Sequence, residues 1–445
     1  MRLWIAAAAL VTLAALGLAA IPYAIDWEAR RPDIEAAAGE LSGHTLTIGG
    51  PIELALLPRP TLIAKDVLVV GGPDNPIGFE LQAKQMDLQL ELAPLLAGRP
   101  VIHHLRLFRS VLAIDDPDNE GANSWPPDVL GWVGAFTVPG LSSFSVVDSQ
   151  LDIQGHDPDH STTLNEVSLD LVMAKDGGPL EAVGLFKTRQ HQFDIAVNVG
   201  KATNDGASTF KLRIGAENGI AEKTTLDFSG VIDQRTDSPG LRGVLDLRGP
   251  DLRNGLKAFS AVTGYPPAFK SVAQGQAFNL QGRIDASSSG IASEDLRLRL
   301  GEKVGSGTIT LQFEPTATLD LALDLPKIVL ANQANWVDIA PIDLLSIIPA
   351  LPGEVEIRVR ELVYRGQAIR QAAVNLGTTP DGITHVEQAR LLLPGLTEVR
   401  FDGDLNPSAT GRVLNGRLTA VGDDLGGTLH WLDLIPADRG AGWRG

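Results

Sequence analysis

The chain contains no cysteine. Thiolate catalysis, thiolate metal sites and disulfide bridges are excluded together. Aromatic residues are scarce, 5% against 44% hydrophobic residues in all, so the apolar content is Leu, Val, Ile and Ala spread along the chain. Few rings are available to stack on sugars, which disfavours a carbohydrate-active sandwich enzyme. Basic residues are outnumbered 37 to 54, for a formal net charge of −17. A surface this acidic repels phosphate backbones, and no nucleic-acid partner is expected. Past residue 25 no apolar run approaches membrane-spanning length, because charged or polar residues interrupt each one.

Catalytic constellations are missing as well. No Gly-x-Ser-x-Gly elbow, phosphate loop or dinucleotide fingerprint occurs. His103-His104 is the one tight histidine pair, and adjacent residues on a strand point to opposite faces, so the two cannot share a metal. His156 and His160 flank Asp157-Pro158-Asp159, a cluster that a solvated loop explains as well as a cation site. Asp115-Asp116-Pro117-Asp118-Asn119 lacks the Gly and the distal Glu of a calcium loop. No enzyme, cofactor or metal is expected.

What is present begins with an anchor. Leu3 to Ala20 is apolar apart from Thr12 and Gly17 and continues to Ile25 before Asp26. About 20 residues at 1.5 Å each span a hydrocarbon core. Arg2 precedes the run and Asp26 and Glu28 follow it, which places the N-terminus in the cytoplasm. Trp4, Tyr23 and Trp27 fall near the two interfaces. A cleaved signal peptide would have a shorter apolar region, and either reading exports the remainder.

Beyond a short helical stalk, Asp33 to Glu40 closed by Ser42-Gly43, the hydrophobic period becomes two. Alternation marks Thr45–Ile48, Ile52–Leu56, Met86–Leu92, Leu105–Leu107, Val167–Leu171, Phe193–Val199 and Phe210–Ile214. In the second half it marks Leu296–Leu300, Leu319–Leu325 and Val355–Arg360. Each has one apolar and one charged face, as antiparallel strands wetted on one side do. Three helical stretches are expected besides the stalk, Asp251 to Val262, Trp336 to Ile348 and Asp424 to Leu432, too few to cover so much sheet. The apolar faces must then face each other. They form either a filled sandwich or one sheet folded over lengthwise around an aliphatic groove that accepts acyl chains. Periodicity does not separate the two. The 445 residues are expected to divide into an anchor at 1–26 and β regions at 27–135, 136–240 and 241–445.

The stretch Trp27 to Trp125 resembles the N-terminal signature of the AsmA family. In family order come the stalk Ile34-Glu35-Ala36-Ala37, then Leu41-Ser42-Gly43-His44-Thr45-Leu46-Thr47-Ile48, then Ile52-Glu53-Leu54 and Leu57-Pro58-Arg59-Pro60. The Asp66-Val67 strand follows, then the Met86–Leu92 strand running into Pro94-Leu95-Leu96-Ala97-Gly98. Val101-Ile102, Leu105-Arg106-Leu107 and Asn119-Glu120-Gly121-Ala122-Asn123-Ser124-Trp125 complete it. Gly43, Pro58, Pro94, Leu95, Leu96, Gly98, Gly121 and Trp125 read as turn and packing residues. The C-terminal half resembles the AsmA-like C-terminal region and repeats internally. Arg242–Leu247 leads into Asp251-Leu252, as Asn415–Thr419 leads into Asp424-Leu425.

The resemblance implies a mainly β fold: a single transmembrane helix, an elongated antiparallel sheet folded over lengthwise, and few short helices. It further implies an inner-membrane-anchored periplasmic protein, held by residues 3–25, related to TamB-type bridge-like lipid-transfer proteins. Its expected ligand is phospholipid, carried for outer-membrane biogenesis and integrity. The groove candidates are Leu88, Leu90, Leu107, Ile195, Val197, Leu298 and Leu321. The alternative is an assembly factor with a filled sandwich, no bound lipid, and outer-membrane or periplasmic proteins as partners.

Overall fold

A computed structural model of the chain describes residues 27–115, 141–329 and 351–432, apart from short gaps within these spans. The apolar run 3–25, the helix expected at 336–348, the His156/His160 cluster and six of the family-motif residues (Pro58, Leu95, Leu96, Gly98, Gly121 and Trp125) lie outside the described residues. Among the described residues no helix is long and apolar enough to cross a membrane. The chain divides into two units, Met1–Ala202 and Thr203–Gly445.

The first unit opens with helix α1 (Arg31–Ser42), where the stalk is predicted. Pro32 sits in its first turn, where the missing N–H costs nothing. Gly43 ends it at φ +73°, a conformation a side chain would resist, and its N–H donates to the Gly39 carbonyl at 2.9 Å. Nine strands follow: β1 (Thr45–Ile48), β2 (Ile52–Ala55), β3 (Thr61–Val70), β4 (Gly78–Leu90), β5 (Ile102–Asp115), β6 (Ser143–Gln154), β7 (Thr162–Met173), β8 (Leu180–Lys187) and β9 (Gln192–Val199). Strands β1 and β2 both pair with β3, and β3 through β9 then pair in sequence order. Helix α1 covers the β1 edge. The Ile48 N–H donates to Glu35 at 2.7 Å, and Arg31 donates to the Ile48 carbonyl.

The second unit holds β10 (Ala207–Glu217), β11 (Thr224–Asp233), β12 (Gly240–Gly249), helix α2 (Leu252–Thr263), β13 (Phe278–Ser287), β14 (Gly290–Leu300), β15 (Lys303–Gln312), β16 (Thr318–Leu325) and β17 (Ile328–Val329). It continues with β18 (Gly353–Tyr364), β19 (Gln367–Thr378), β20 (Thr384–Leu393), β21 (Thr397–Ser408), β22 (Gly411–Val421) and helix α3 (Leu425–Trp431). Both helices start where predicted and carry an Asp cap. The Asn254 N–H donates to Asp251 at 3.0 Å and the Gly427 N–H to Asp424 at 2.8 Å. Trp431 meets buried Tyr364 edge-on at 5.5 Å, seating α3 on the cluster of Leu362, Ile369 and Leu393.

Every predicted strand segment falls on a strand, although β4 stops at Leu90, short of the predicted Leu92, and Leu56 lies outside the described residues; the protein is mainly β. The strands are mostly antiparallel, as expected, with two parallel joints. Strands β5 and β6 are parallel, and so is β18 with β16 and β17. More than twenty residues separate the neighbours in each case, which is the length a parallel crossover demands.

A second feature escapes simple alternation. In the first unit the apolar face runs in twos, then skips one residue at the same level in adjacent strands. The inward positions step from Ala64 to Val67, Ala83 to Met86, Leu107 to Ser110 and Val146 to Ser149. Asp66, Arg109, Asp148 and Glu166 take φ between +45° and +51° at this line. Each costs about 1–2 kcal/mol for a residue with a side chain. Bulges bend their strand and sharpen its twist, so an aligned row places a crease across the sheet. The inner side of the crease is small and polar. Buried Ser110 donates its N–H to the Ser149 hydroxyl at 3.0 Å, and the two hydroxyls are 2.8 Å apart.

Candidate functional site

Strand pairing places apolar residues side by side, and the registers turn isolated alternations into continuous rows. In the first unit one row runs Leu54, Leu62, Leu88, Leu105, Phe144, Leu171, Ala182, Val197 across β2 to β9. The next runs Ile52, Ala64, Met86, Leu107, Val146, Leu169, Gly184, Ile195. Leu88 and Val197 therefore share one row, and Leu107 and Ile195 the adjacent one. Leu90 sits beyond a register shift, facing Ile102, with its N–H on the Pro60 carbonyl at 2.8 Å. At about 4.8 Å per strand, eight strands make a row about 34 Å long.

Burial along these rows is uneven. Ile52, Ala64, Met86 and Leu107 are at most 7% exposed, in the cluster that Trp27 and Ile34 pack against. Leu62, Leu88, Leu105, Phe144, Val146, Leu169, Leu171, Ile195 and Val197 are only half-buried. A filled sandwich would dry them all. The exposed remainder is a strip of aliphatic surface one to two side chains wide.

The second unit repeats the arrangement. One row is Leu296, Gly307, Leu323, Ile357, Val374, Ala389, Phe401, Leu418; its neighbour is Ser293, Ile309, Leu321, Val355, Leu376, Val386. Leu321 lies in the neighbour row, and Leu298 pairs with Leu280 one step away. Here too Leu321, Leu323, Ile357 and Val374 are half-buried. A depression of about 310 Å³ bounded by Gln367, Arg370 and Leu392–Leu396 lies at the β19–β20 end. It is shallow and mixed in polarity.

The opposite face is charged and cross-paired. Asp227 accepts from Arg213 at 2.6 Å and Arg248 at 3.0 Å, Asp246 accepts from Asn279 at 2.8 Å and Gln281 at 2.7 Å, and Asp285 pairs with Arg242 at 2.8 Å. The Arg400 and Lys327 hydrogen bonds hold Glu398 and Glu361 below the usual carboxylate range. These pairs are exposed and each stabilises little. They keep that face wet, so the strands have one side each for water and oil.

His103 and His104 separate as the alternation requires, the first to Ser142 and the second to Ser143, each at 2.6 Å from Nδ1. Burial, then the Arg106 charge, lowers the His104 pKa. Among the described residues no three His, Asp or Glu side chains are placed to hold a metal ion. Of the motif residues, Gly43 is the helix cap and Pro94 is half-buried in helical backbone.

The central rows also contain Phe144 and Val146 of β6, a strand outside the predicted segments. The alternation Ser143-Phe144-Ser145-Val146 is their signal, and it is as regular as that of Met86–Leu92.

A sheet with one continuous apolar face and one charged face defines an amphipathic β scaffold. Residues 2–129 match the model of the AsmA family, the resemblance that the N-terminal motifs predict. No curated protein and no solved structure matches the chain.

Proposed function

We propose that this protein handles phospholipid at the bacterial envelope, holding acyl chains against the aliphatic rows of its sheets while head groups stay in water. It does so without a catalytic group, anchored in the inner membrane by residues 3–25 with its bulk in the periplasm. The observation that carries this reading is the half-buried state of rows that run unbroken across eight strands. One leaflet of a bilayer core is about 15 Å thick, so a row of about 34 Å has room for an acyl chain laid along it. Aliphatic side chains without polar partners suit such a guest, because burying its methylenes gains about 0.8 kcal/mol each and asks for no hydrogen bond. The AsmA match over residues 2–129 agrees with an envelope role.

The test is lipid extraction from the purified full chain followed by mass spectrometry, for wild type and for Val197→Asp. Wild type should yield phospholipid in near-stoichiometric amount. Val197→Asp places an unpaired carboxylate in the half-buried row and should lose most of it, because a charge in an apolar site is heavily penalised. Circular dichroism confirms that the variant is folded. Lipid retained by a folded Val197→Asp, or none on wild type, rejects the proposal.

A further inference from the structure

Strands β20 and β21 are joined by Pro394-Gly395-Leu396, and the last two residues take φ of +80° and +57°. Glycine adopts that conformation freely, whereas a leucine is strained in it. Leu396 is nevertheless 67% exposed, so no packing of its side chain offsets the strain. The turn is braced from behind. The Thr428 hydroxyl of α3 meets the Pro394 carbonyl at 3.0 Å and the buried Thr397 hydroxyl at 2.8 Å. The fold thus presents an apolar side chain on a rigid, strained tip. Strain that packing does not require collects where a residue acts on something outside the fold.

Beside the tip lies the depression bounded by Gln367, Ala368, Arg370 and Leu392–Leu396. Strand pairing sets its surroundings. Arg370 faces Leu392, and Leu392 faces Glu398, so the three share one side of the sheet. Arg390 faces Arg400 one step further along that side. Glu361, opposite Arg370 on β18, is taken by Lys327 at 2.6 Å. Glu398 is shared between Arg390 at 2.6 Å and Arg400 at 2.8 Å. Arg370 is exposed and, among the described residues, makes no ion pair or side-chain hydrogen bond. Two carboxylates therefore serve four cations, a local positive excess in a chain whose net charge is −17.

We propose that this corner of the second unit is where the protein touches a phospholipid bilayer, with Leu396 entering the interface and Arg370 binding a head-group phosphate at the rim of the depression. The two features ask different things of an occupant. An exposed leucine gains by leaving water, and a guanidinium is the side chain best shaped for phosphate. A free anion would satisfy Arg370 and leave Leu396 in water. An apolar protein surface would cover Leu396 and leave the cations without a counter-charge. A bilayer surface sets phosphate directly beside acyl chain and meets both demands. Zwitterionic and anionic phospholipids share that phosphate, so this contact is short-ranged and separate from the repulsion that the net charge exerts at a distance. It does not depend on lipid held along the aliphatic rows, because contact with vesicles is read without extracting the protein, and the two readings fail separately.

The chain has no cysteine, so Gln367→Cys places a single environment-sensitive fluorophore on the exposed rim of the depression. The full chain, held in amphipol, is mixed with phosphatidylcholine vesicles at 0.15 M salt, where charges are screened beyond about 8 Å. Emission should rise, and vesicles with spin-labelled head groups should quench it. The same label at Asp381→Cys, on the turn at the other end of β19, should not respond. Leu396→Gly keeps the turn, since glycine suits a positive φ, and should weaken the apparent vesicle affinity about tenfold, the scale of one buried leucine. Arg370→Gln should weaken it about two- to fivefold, the scale of one exposed ion pair. Circular dichroism confirms that both variants are folded. No response at Gln367→Cys, an equal response at Asp381→Cys, or full affinity in either folded variant overturns the proposal. A response that follows protein concentration without vesicles would assign the corner to a second copy of the chain, and would overturn it as well.

Discussion

A histidine packed among strands can stay neutral when its second nitrogen has nothing to give a proton to. His104 Nδ1 meets the Ser143 hydroxyl, while Nε2 is buried without a partner. Burial is the first cause of its lowered pKa, followed by Arg106 and His103, with Asp170 and Asp87 pulling the other way. The unfolded chain takes up the proton near pH 6.5, and the folded chain resists until a lower pH. Above pH 6.5 both states are neutral and the group adds no pH dependence. As pH falls through 6.5 the unfolded state binds protons first, so stability declines until the folded pKa is passed. Wild type should therefore lose more melting temperature between pH 7.5 and 5.5 than His104→Gln does. Equal losses would mean that His104 does not feel its burial.

At the scale of elements, a glycine facing a glycine beneath a ring, as Gly243 faces Gly230 beneath Phe228, is a close approach that admits no side chain. A Cβ on Gly243 would lie 2.4 Å from the Ser229 carbonyl oxygen and 2.8 Å from Gly230 Cα. Those are backbone atoms, and the strand pair must part to make room. Gly243→Ala should destabilise β11–β12 by about 1–3 kcal/mol, the range of overpacking. Hydrogen exchange over 224–249 should rise accordingly. Gly377, also within a strand, offers room: a methyl there would have only Glu387 Oε1 nearby, at 4.0 Å. Gly377→Ala should therefore leave exchange unchanged or slower. If both substitutions behave alike, the ring-over-glycine packing is not what holds the pair.

The same scale shows what the sequence makes legible. Regular alternation identifies Met86–Leu92 and Leu319–Leu325 without help, because one wet face and one dry face repeat every second residue. Asp251 and Asp424 announce their helices by cap chemistry. The crease does not announce itself. Asp66, Arg109, Asp148 and Glu166 hold a conformation usually left to glycine, so their sequence carries no turn signal and the alternation simply restarts out of phase. Nor does the pattern within β5, β6, β16 or β18 reveal a parallel joint, since pairing direction is set by the crossing segments. The groove candidates are legible as apolar positions. That Leu88 and Val197, more than a hundred residues apart, occupy one row depends on a chain of registers that no local pattern encodes.

For the molecule as a whole, the surplus of acid is the property that every membrane it meets will feel. The chain has a net charge of −17, and the carboxylates on the wet faces of its strands, such as Asp227, Asp246 and Asp285, are screened by salt. An anionic bilayer repels such a body at long range, and a zwitterionic one does not. On the proposed lipid-handling role, uptake from vesicles requires approach, so the rate from phosphatidylglycerol vesicles at low salt should fall below that from phosphatidylcholine vesicles of the same chain length. The Debye length shrinks from about 30 Å at 0.01 M salt to about 8 Å at 0.15 M, and the gap should close over that range. Uptake measured by dequenching of a labelled phospholipid reads both rates in one assay. A gap that persists at 0.15 M salt would point to head-group recognition at short range in place of repulsion. Equal rates at both salt concentrations would mean that the surface engaging the bilayer is shielded from the chain's overall charge.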